Sequence, residues 1–284
     1  MQVVITVAGQ GQRFTESVYS DPKPLIPLFN KPAIQYLIES FSVDWKLFFV
    51  LGDHLKNTEL ENLILKIKPM AQIIFTPYST RGPIDTVLAA VPFLNEKDSV
   101  AISYCDYAMI WDPRHFEKFV EKNNCRICVI SYRGFHPTYL GPNTYAHLQL
   151  DTENKNILKI QEKKLFGDQI ELEWTSVGFY YFRNLELLQK GLKLQLQKKL
   201  KYGNEYYTSL AVQAILESTS DPDENLALNY QIDYFIQMGT PADIQQFEKW
   251  YQTIRVELKS RTELSLDQQT QFDYWKKVFE NLFP

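Results

Sequence analysis

The chain predicts an α/β fold of Rossmann-like, three-layer type, with a mixed, mostly parallel central sheet and additional helices at the C-terminus. Two features of the sequence carry that prediction. Short apolar, β-rich runs recur at 3–8, 47–51, 72–75, 100–103 and 127–132, and segments of helical period separate them at 34–41, 60–67, 85–93 and 116–121. This repeated βαβ rhythm builds a parallel sheet covered on both faces, and ligands on such sheets sit outside the carboxyl ends of the strands. The loops after the first, third and fourth runs are therefore the places to look for chemistry. After residue 132 the rhythm changes, and runs at 145–150, 157–163 and 177–182 come with fewer helices between them, as in a mixed sheet that extends the first half. From 241 onward, PADIQQFEKWY and FDYWKKVFENLF read as amphipathic helices, packed on their own domain or forming a cap or dimer surface. The expected organisation is one domain over 1–240, with halves of about 1–132 and 133–240, and a helical extension over 241–284.

Composition is compatible with that reading. With 284 residues, 45% of them hydrophobic and 14% aromatic, the chain can bury a substantial core, and no internal repeat, low-complexity tract or Pro/Gly/Ser linker divides it. A net charge of -4 argues against nucleic acid as a partner but leaves room for a small basic pocket in a cleft. Cys125 and Cys128 have the spacing of a redox or half-zinc motif without a second pair, and their setting, CRICVISY, reads as two reduced cysteines on a buried strand. The opening MQVVITVA is not a secretory leader, and no apolar run approaches transmembrane length, so a cytoplasmic protein with no membrane partner is expected.

The first loop is the most informative segment. In VITVAGQGQRF, Ala8, Gly9, Gln10 and Gly11 come directly after the first strand, where small residues let backbone N–H groups approach an anion. A dinucleotide fingerprint would need a third glycine opening a helix, and the Walker lysine pattern is missing too. The chain instead places Arg13 in the same loop and Lys23 in DPKPLIP, between prolines that fix its backbone. A glycine turn, an arginine and a prolyl-flanked lysine are the parts of a triphosphate clamp.

These residues resemble the sugar-phosphate nucleotidylyltransferase family, whose members carry a G-x-G-x-R-[FL] loop and then PKPL. The stretch AGQGQRF…YSDPKPLIPLFNKPAIQ is similar to a branch associated with capsule and surface-polysaccharide genes, and the resemblance runs from 3 to about 247. It implies a nucleotide-binding half over about 1–132 and an acceptor-binding half over about 133–240. Gly82, in TPYSTRGPIDTVL, matches the base-recognition turn, although Pro83 and Ile84 depart from the usual small residues. Asp106 matches the magnesium-binding aspartate, a role a single carboxylate plus substrate phosphates can fill. Asp112 instead reads as the cap of a helix starting at Pro113.

In ILKIQEKK, Glu162 and Lys163 inherit the roles of holding an acceptor hydroxyl and the acceptor phosphate, with Lys164 the alternative register. Gly178, in WTSVGFYYF, matches the glycine beside the acceptor, with Tyr180 lining the pocket or filling the core. Glu205, in NEYYTSLAV, matches an acidic residue that shapes the acceptor site. In FIQMGTPAD, Gln237 stands where many relatives have a second metal aspartate, and Asp233 is the alternative on the same strand.

The implied reaction joins an NMP unit from an NTP to a small phosphorylated acceptor, with Mg2+ as cofactor, and both molecules are the expected partners, alongside a possible homo-oligomer. Arg13 and Lys23 would steady the triphosphate, Asp106 would hold Mg2+ and Lys163 would guide the acceptor phosphate. Such a phosphate, with a pKa of about 6, needs no protein base, which suits a chain whose four histidines form no cluster in sequence. Rival readings are an amino alcohol or amino acid amide acceptor, a glycosyltransferase, disfavoured because Asp106 is not part of an Asp-x-Asp motif, and a noncatalytic nucleotide-binding regulator.

Overall fold

The computed structural model describes residues 1–11, 14, 21–29, 31–218, 227–254 and 264–282. Strands β1 (Gln2–Val7), β2 (Lys46–Gly52), β3 (Gln72–Thr76) and β4 (Val100–Tyr104) form a parallel set in the order β4-β1-β2-β3. All six β1 residues are buried because the strand is central and covered twice: Val3, Ile5 and Val7 enter one apolar cluster and Val4 the other. The first cluster lies under α1 (Ala33–Glu39), α2 (Leu60–Ile67) and α4 (Pro113–Lys122), and the second under α3 (Pro83–Ala90), α5 (Leu185–Lys198) and α6 (Thr208–Leu216). The expected three layers are present.

The second half extends the sheet antiparallel. The long strand β9 (Trp174–Phe182) pairs with β4, with β6 (Ile127–Tyr132) and with β7 (Ala146–Leu150), which pairs in turn with β8 (Ile157–Glu162). Pairing of β9 with β6 is interrupted between Ser176 and Tyr180, where Gly178 takes φ +96°. Beside this sheet, β5 (Tyr107–Ile110) forms a two-stranded ladder with β11 (Tyr234–Gln237), while β10 (Ala227–Gln231) runs parallel to β6. Helices α5 and α6 follow β9 in a half where the strand rhythm predicts fewer helices. Asp112 does cap α4, its Oδ1 accepting from the Arg114 N–H at 2.9 Å.

The C-terminal helices α7 (Pro241–Gln252) and α8 (Leu266–Leu282) bury Phe247, Trp250, Trp275 and Phe279 in the same core as β1. Thr240 opens α7 with a capping box, accepting from the Asp243 N–H while Asp243 Oδ2 accepts from the Thr240 N–H at 2.7 Å. Cys128 lies on β6 but Cys125 precedes it; both are buried free thiols, and burial pushes the Cys128 thiol well above its ordinary range. No helix among the described residues is long and apolar enough to cross a membrane.

Candidate active site

Four loops at the carboxyl ends of β1 to β4 enclose a cavity of about 650 Å3. From the first come Ala8, Gly9, Gln10 and Gly11, with Gly11 at φ +64°, a left-handed conformation that glycine takes without a Cβ penalty. Lys23 enters from a short 3-10 turn, Lys23–Leu25, pinned between Pro22 and Pro24. Its Nζ lies 2.8 Å from Asp106 Oδ2 on the loop after β4, and both side chains are largely shielded from solvent. Facing them across the cavity, Gly82 starts α3 at φ +77°, and a Cβ there would come within 2.8 Å of the Glu205 Cβ. A side chain at position 82 would therefore close the gap between the two loops. Arg81 grips Asp85 through Nε at 2.9 Å and through its terminal nitrogen, which holds the Asp85 carboxyl below the usual range and stiffens the same turn.

A smaller cavity of about 180 Å3 opens on the other side of Asp106. Its floor carries Glu162, buried at the end of β8, whose Oε2 accepts from Ser209 Oγ at 2.6 Å. Burial pushes this carboxyl up to about 7, the Ser209 hydrogen bond and the Lys163 charge pull against it, and Glu205 adds to it. Lys163 comes next at φ +53°, a turn held by its N–H donating to the Tyr145 carbonyl at 2.7 Å. That turn breaks the strand alternation, so consecutive residues Glu162 and Lys163 both face the cavity. Gly178 lies opposite, where a Cβ would stand 3.0 Å from Tyr104 Cδ2. Tyr180 also lines the cavity, its hydroxyl accepting from Ser176 Oγ at 3.0 Å.

Asp106, Tyr104 and Tyr207 line both cavities. Asp106 is fixed there because its carbonyl accepts the Met238 N–H at 2.7 Å, continuing the β5/β11 ladder in which Gln237 pairs with Tyr107. This brings Gln237 beside Asp106: a Cβ on Gly239 would lie 2.6 Å from Gln237 Nε2 and 3.2 Å from Asp106 Oδ2. One carboxylate and one amide suit a hard divalent cation that takes its remaining ligands from phosphate and water, so the residues fit magnesium held jointly with a substrate. Among the described residues no group of three or more His, Cys, Asp or Glu side chains could hold a metal without such help.

Of the residues singled out from sequence, Ala8, Gly9, Gln10, Gly11, Lys23, Gly82, Asp106 and Glu205 line the larger cavity, while Glu162, Lys163, Gly178 and Gln237 line the smaller one with Asp106. Arg13 lies outside the described residues. Two alternatives lie away from both cavities. Lys164 is exposed and lines neither cavity, because the turn at Lys163 leaves Glu162 and Lys163 as the pair facing inward. Asp233 precedes β11 at the end where Tyr234 pairs with Ile110, far along the ladder from the Gln237–Tyr107 pair, and is exposed.

Sequence reasoning missed His54 and Tyr78 in the larger cavity, and Tyr207 and Ser209. His54 sits in the turn after β2, where a Cβ on Gly52 would fall 2.5 Å from its ring. His136 and His147 belong to the core, where burial pulls them down to about 3 and about 4.

Comparison with known proteins agrees with this architecture. Residues 3–167, more than half of the chain, match the MobA-like NTP transferase domain. The Bifunctional protein GlmU of Thermosipho melanesiensis is 24% identical over 238 residues, covering 82% of this chain and 48% of that protein. That of Methanocaldococcus jannaschii is 24% identical over 266 residues, covering 93% and 57%. The chain thus spans about half the length of these curated relatives. Among solved structures, UDP-glucose pyrophosphorylase complexed with UDP-glucose superposes with a TM-score of 0.67 at 16% identity, over 89% of this chain and 99% of that one. The inositol-1-phosphate CTP transferase from T. maritima gives 0.63 at 11%, over 97% and 96%. At such identities the superpositions establish the shared fold alone. A glycine loop under the first strand, a prolyl-flanked lysine paired with a strand-end aspartate, and the match over 3–167 together make the chain a member of the MobA-like NTP transferase domain family.

Proposed function

We propose that this protein transfers an NMP unit from an NTP, CTP or dTTP/UTP, to a sugar 1-phosphate or similar phosphorylated acceptor and releases pyrophosphate. The observation that carries the reading is the meeting of two cavities at Asp106, with one lysine on each side: Lys23 in the larger and Lys163 in the smaller. The GlmU relatives and the pyrophosphorylase fold are consistent with such substrates.

In this reading the glycine loop and Lys23, with Arg13 from the same loop, hold the triphosphate, and Gly82 leaves room for the base. Lys163 holds the acceptor phosphate, Glu162 an acceptor hydroxyl, and Gly178 and Glu205 shape the space around it. An acceptor phosphate oxygen attacks the α-phosphorus, the bond from that phosphorus to the bridging oxygen breaks, and pyrophosphate carries the charge away. The acceptor phosphate is largely dianionic at neutral pH, so positioning and charge neutralisation supply the catalysis. Asp106 and Gln237 would hold Mg2+, which supplies Lewis-acid neutralisation of the phosphates when bound. Lys23 Nζ, 2.8 Å from Asp106 Oδ2 in the wall of the larger cavity, would donate to the phosphate oxygens from there. A cytoplasmic role in making activated precursors of surface polysaccharide, as a homo-oligomer, completes the proposal.

A second acceptor class has an observation in its favour. The smaller cavity is walled by Tyr104, Tyr145, Tyr180 and Tyr207 around buried Glu162, a setting that would also hold the ammonium of a phosphorylated amino alcohol or amino acid amide. Pyrophosphate release with Mg2+ across the four NTPs and a panel of phosphorylated sugars, polyols and amino compounds decides between them. Release dependent on one NTP and one acceptor is expected; silence across the panel with intact NTP binding would point to a regulator that kept the fold.

A further inference from the structure

One short segment organises both cavities. Between the end of the Tyr202–Glu205 turn and the first turn of α6, alternate residues face different parts of the site. Glu205 packs beneath Gly82, Tyr207 stands at the junction and lines both cavities, and Ser209 donates to Glu162. The segment is stitched to the Gly82 turn by two backbone hydrogen bonds, Tyr206 N–H to the Arg81 carbonyl at 2.8 Å and Ile84 N–H to the Tyr206 carbonyl at 3.2 Å.

Tyr207 has an arrangement that the proposed reaction does not use. Lys163 Nζ donates to Tyr207 Oη at 2.6 Å and lies 4.4 Å from the centre of the same ring. The Tyr207 hydroxyl in turn donates to Glu205 Oε2. A hydroxyl that gives its proton to a carboxylate is a better acceptor for an ammonium, so the two hydrogen bonds reinforce one another. An ammonium has three donors, and the one spent on Tyr207 fixes the direction of the other two. Lysine is otherwise poorly suited to holding a fixed direction, being a flexible stem with a point charge. Here both ends are held, the backbone by the turn at φ +53° and the ammonium by Tyr207.

We infer that Tyr207 is a positioning residue for phosphoryl-acceptor binding: held by Glu205, it aims the Lys163 ammonium at the acceptor phosphate. The inference rests on the proposed role of Lys163 as the acceptor-phosphate ligand. It makes Tyr207 and Glu205 one unit, whose effects on acceptor use are shared and do not add.

The test is a double-mutant cycle of Tyr207→Phe and Glu205→Gln, with steady-state kinetics for both substrates. Tyr207→Phe keeps the ring and its packing and removes only the hydroxyl. A tenfold or greater fall in kcat/KM for the acceptor is expected, with KM for the NTP within twofold of wild type and the double variant no worse than the poorer single one. Equal losses for both substrates, additive losses, or wild-type acceptor kinetics in Tyr207→Phe would each overturn the inference. A readout that needs no turnover separates this failure from failure of the proposed reaction. Binding of inorganic phosphate is measured by calorimetry for wild type, Tyr207→Phe and Lys163→Ala, the last defining the share bound at Lys163. That share should weaken at least fivefold in Tyr207→Phe; unchanged binding, or no share lost in Lys163→Ala, would overturn the inference even if wild type turns over no substrate.

Discussion

The two cavities on either side of Asp106 are built by different means. The larger is framed by backbone: a glycine loop at Gly9 and Gly11, a glycine turn at Gly82, and a lysine whose position is set by flanking prolines. The smaller is framed by interlocked side chains, with Ser209 on Glu162, Tyr207 on Lys163 and Ser176 on Tyr180. Backbone N–H groups suit a ligand part that many molecules share, such as a triphosphate, whereas a ring of hydroxyls around a buried carboxyl suits one particular molecule. On the proposed reading, the reaction class would reside on the first side and acceptor identity on the second.

Four substitutions sharpen or break that contrast. The largest effect is expected at Lys23→Ala, which removes the cation beside Asp106: kcat should fall about a thousandfold with the far-ultraviolet dichroism unchanged, and full turnover would remove Lys23 from the mechanism. Next comes Glu162. Its carboxyl stays protonated in the folded state up to about 7, whereas unfolded it ionises near 4.5. The folded state therefore binds more protons between those values, and this group's contribution to stability is complete below about 4.5 and lost as pH rises to about 7, by about 3 kcal/mol. Denaturant titrations at pH 4.5 and 7.5 should show Glu162→Gln gaining stability relative to wild type at the higher pH; parallel pH profiles for the two proteins would contradict the assignment.

Gly178→Ala tests the second cavity sterically. The residue sits at φ +96° with Tyr104 close by, so a Cβ should cost about 1–3 kcal/mol and raise acceptor KM while leaving NTP affinity alone. Loss of NTP binding in calorimetry would show that the two sides are coupled rather than separate. The smallest effect is expected from Gln237→Asp, which adds a second carboxylate beside Asp106. Affinity for Mn2+, tracked by electron paramagnetic resonance, should tighten about tenfold, because charge count tunes such sites. No change would remove position 237 from the metal site.

The same contrast explains what could be read in the sequence. The alternation of apolar runs and helical segments located β1 to β4 and α1 to α4, because a doubly covered parallel sheet leaves an apolar signal along every strand. The glycine loop and PKP were legible because local residue types alone set their backbone conformation. The pairing of Lys23 with Asp106 was not, since it joins residues 83 apart through the sheet. Tyr207 and Ser209 carried no signal for a similar reason: their partners Lys163 and Glu162 lie more than 40 residues earlier at the end of β8, and a left-handed turn at Lys163 overrides the period that would send it to the opposite face. The C-terminal helices announced a buried stripe, but not that Phe247 and Phe279 would meet each other within the first half's core.

In the proposed reaction two substrates meet at Asp106 and are joined there. Phosphorus nuclear magnetic resonance of the wild-type protein with Mg2+, an NTP and its preferred acceptor tests this most directly. A new pair of coupled diphosphate resonances is expected to appear in step with pyrophosphate, and to be absent from Asp106→Ala. Inorganic phosphate as the only new signal, or the same diphosphate product formed at an undiminished rate by Asp106→Ala, would contradict it.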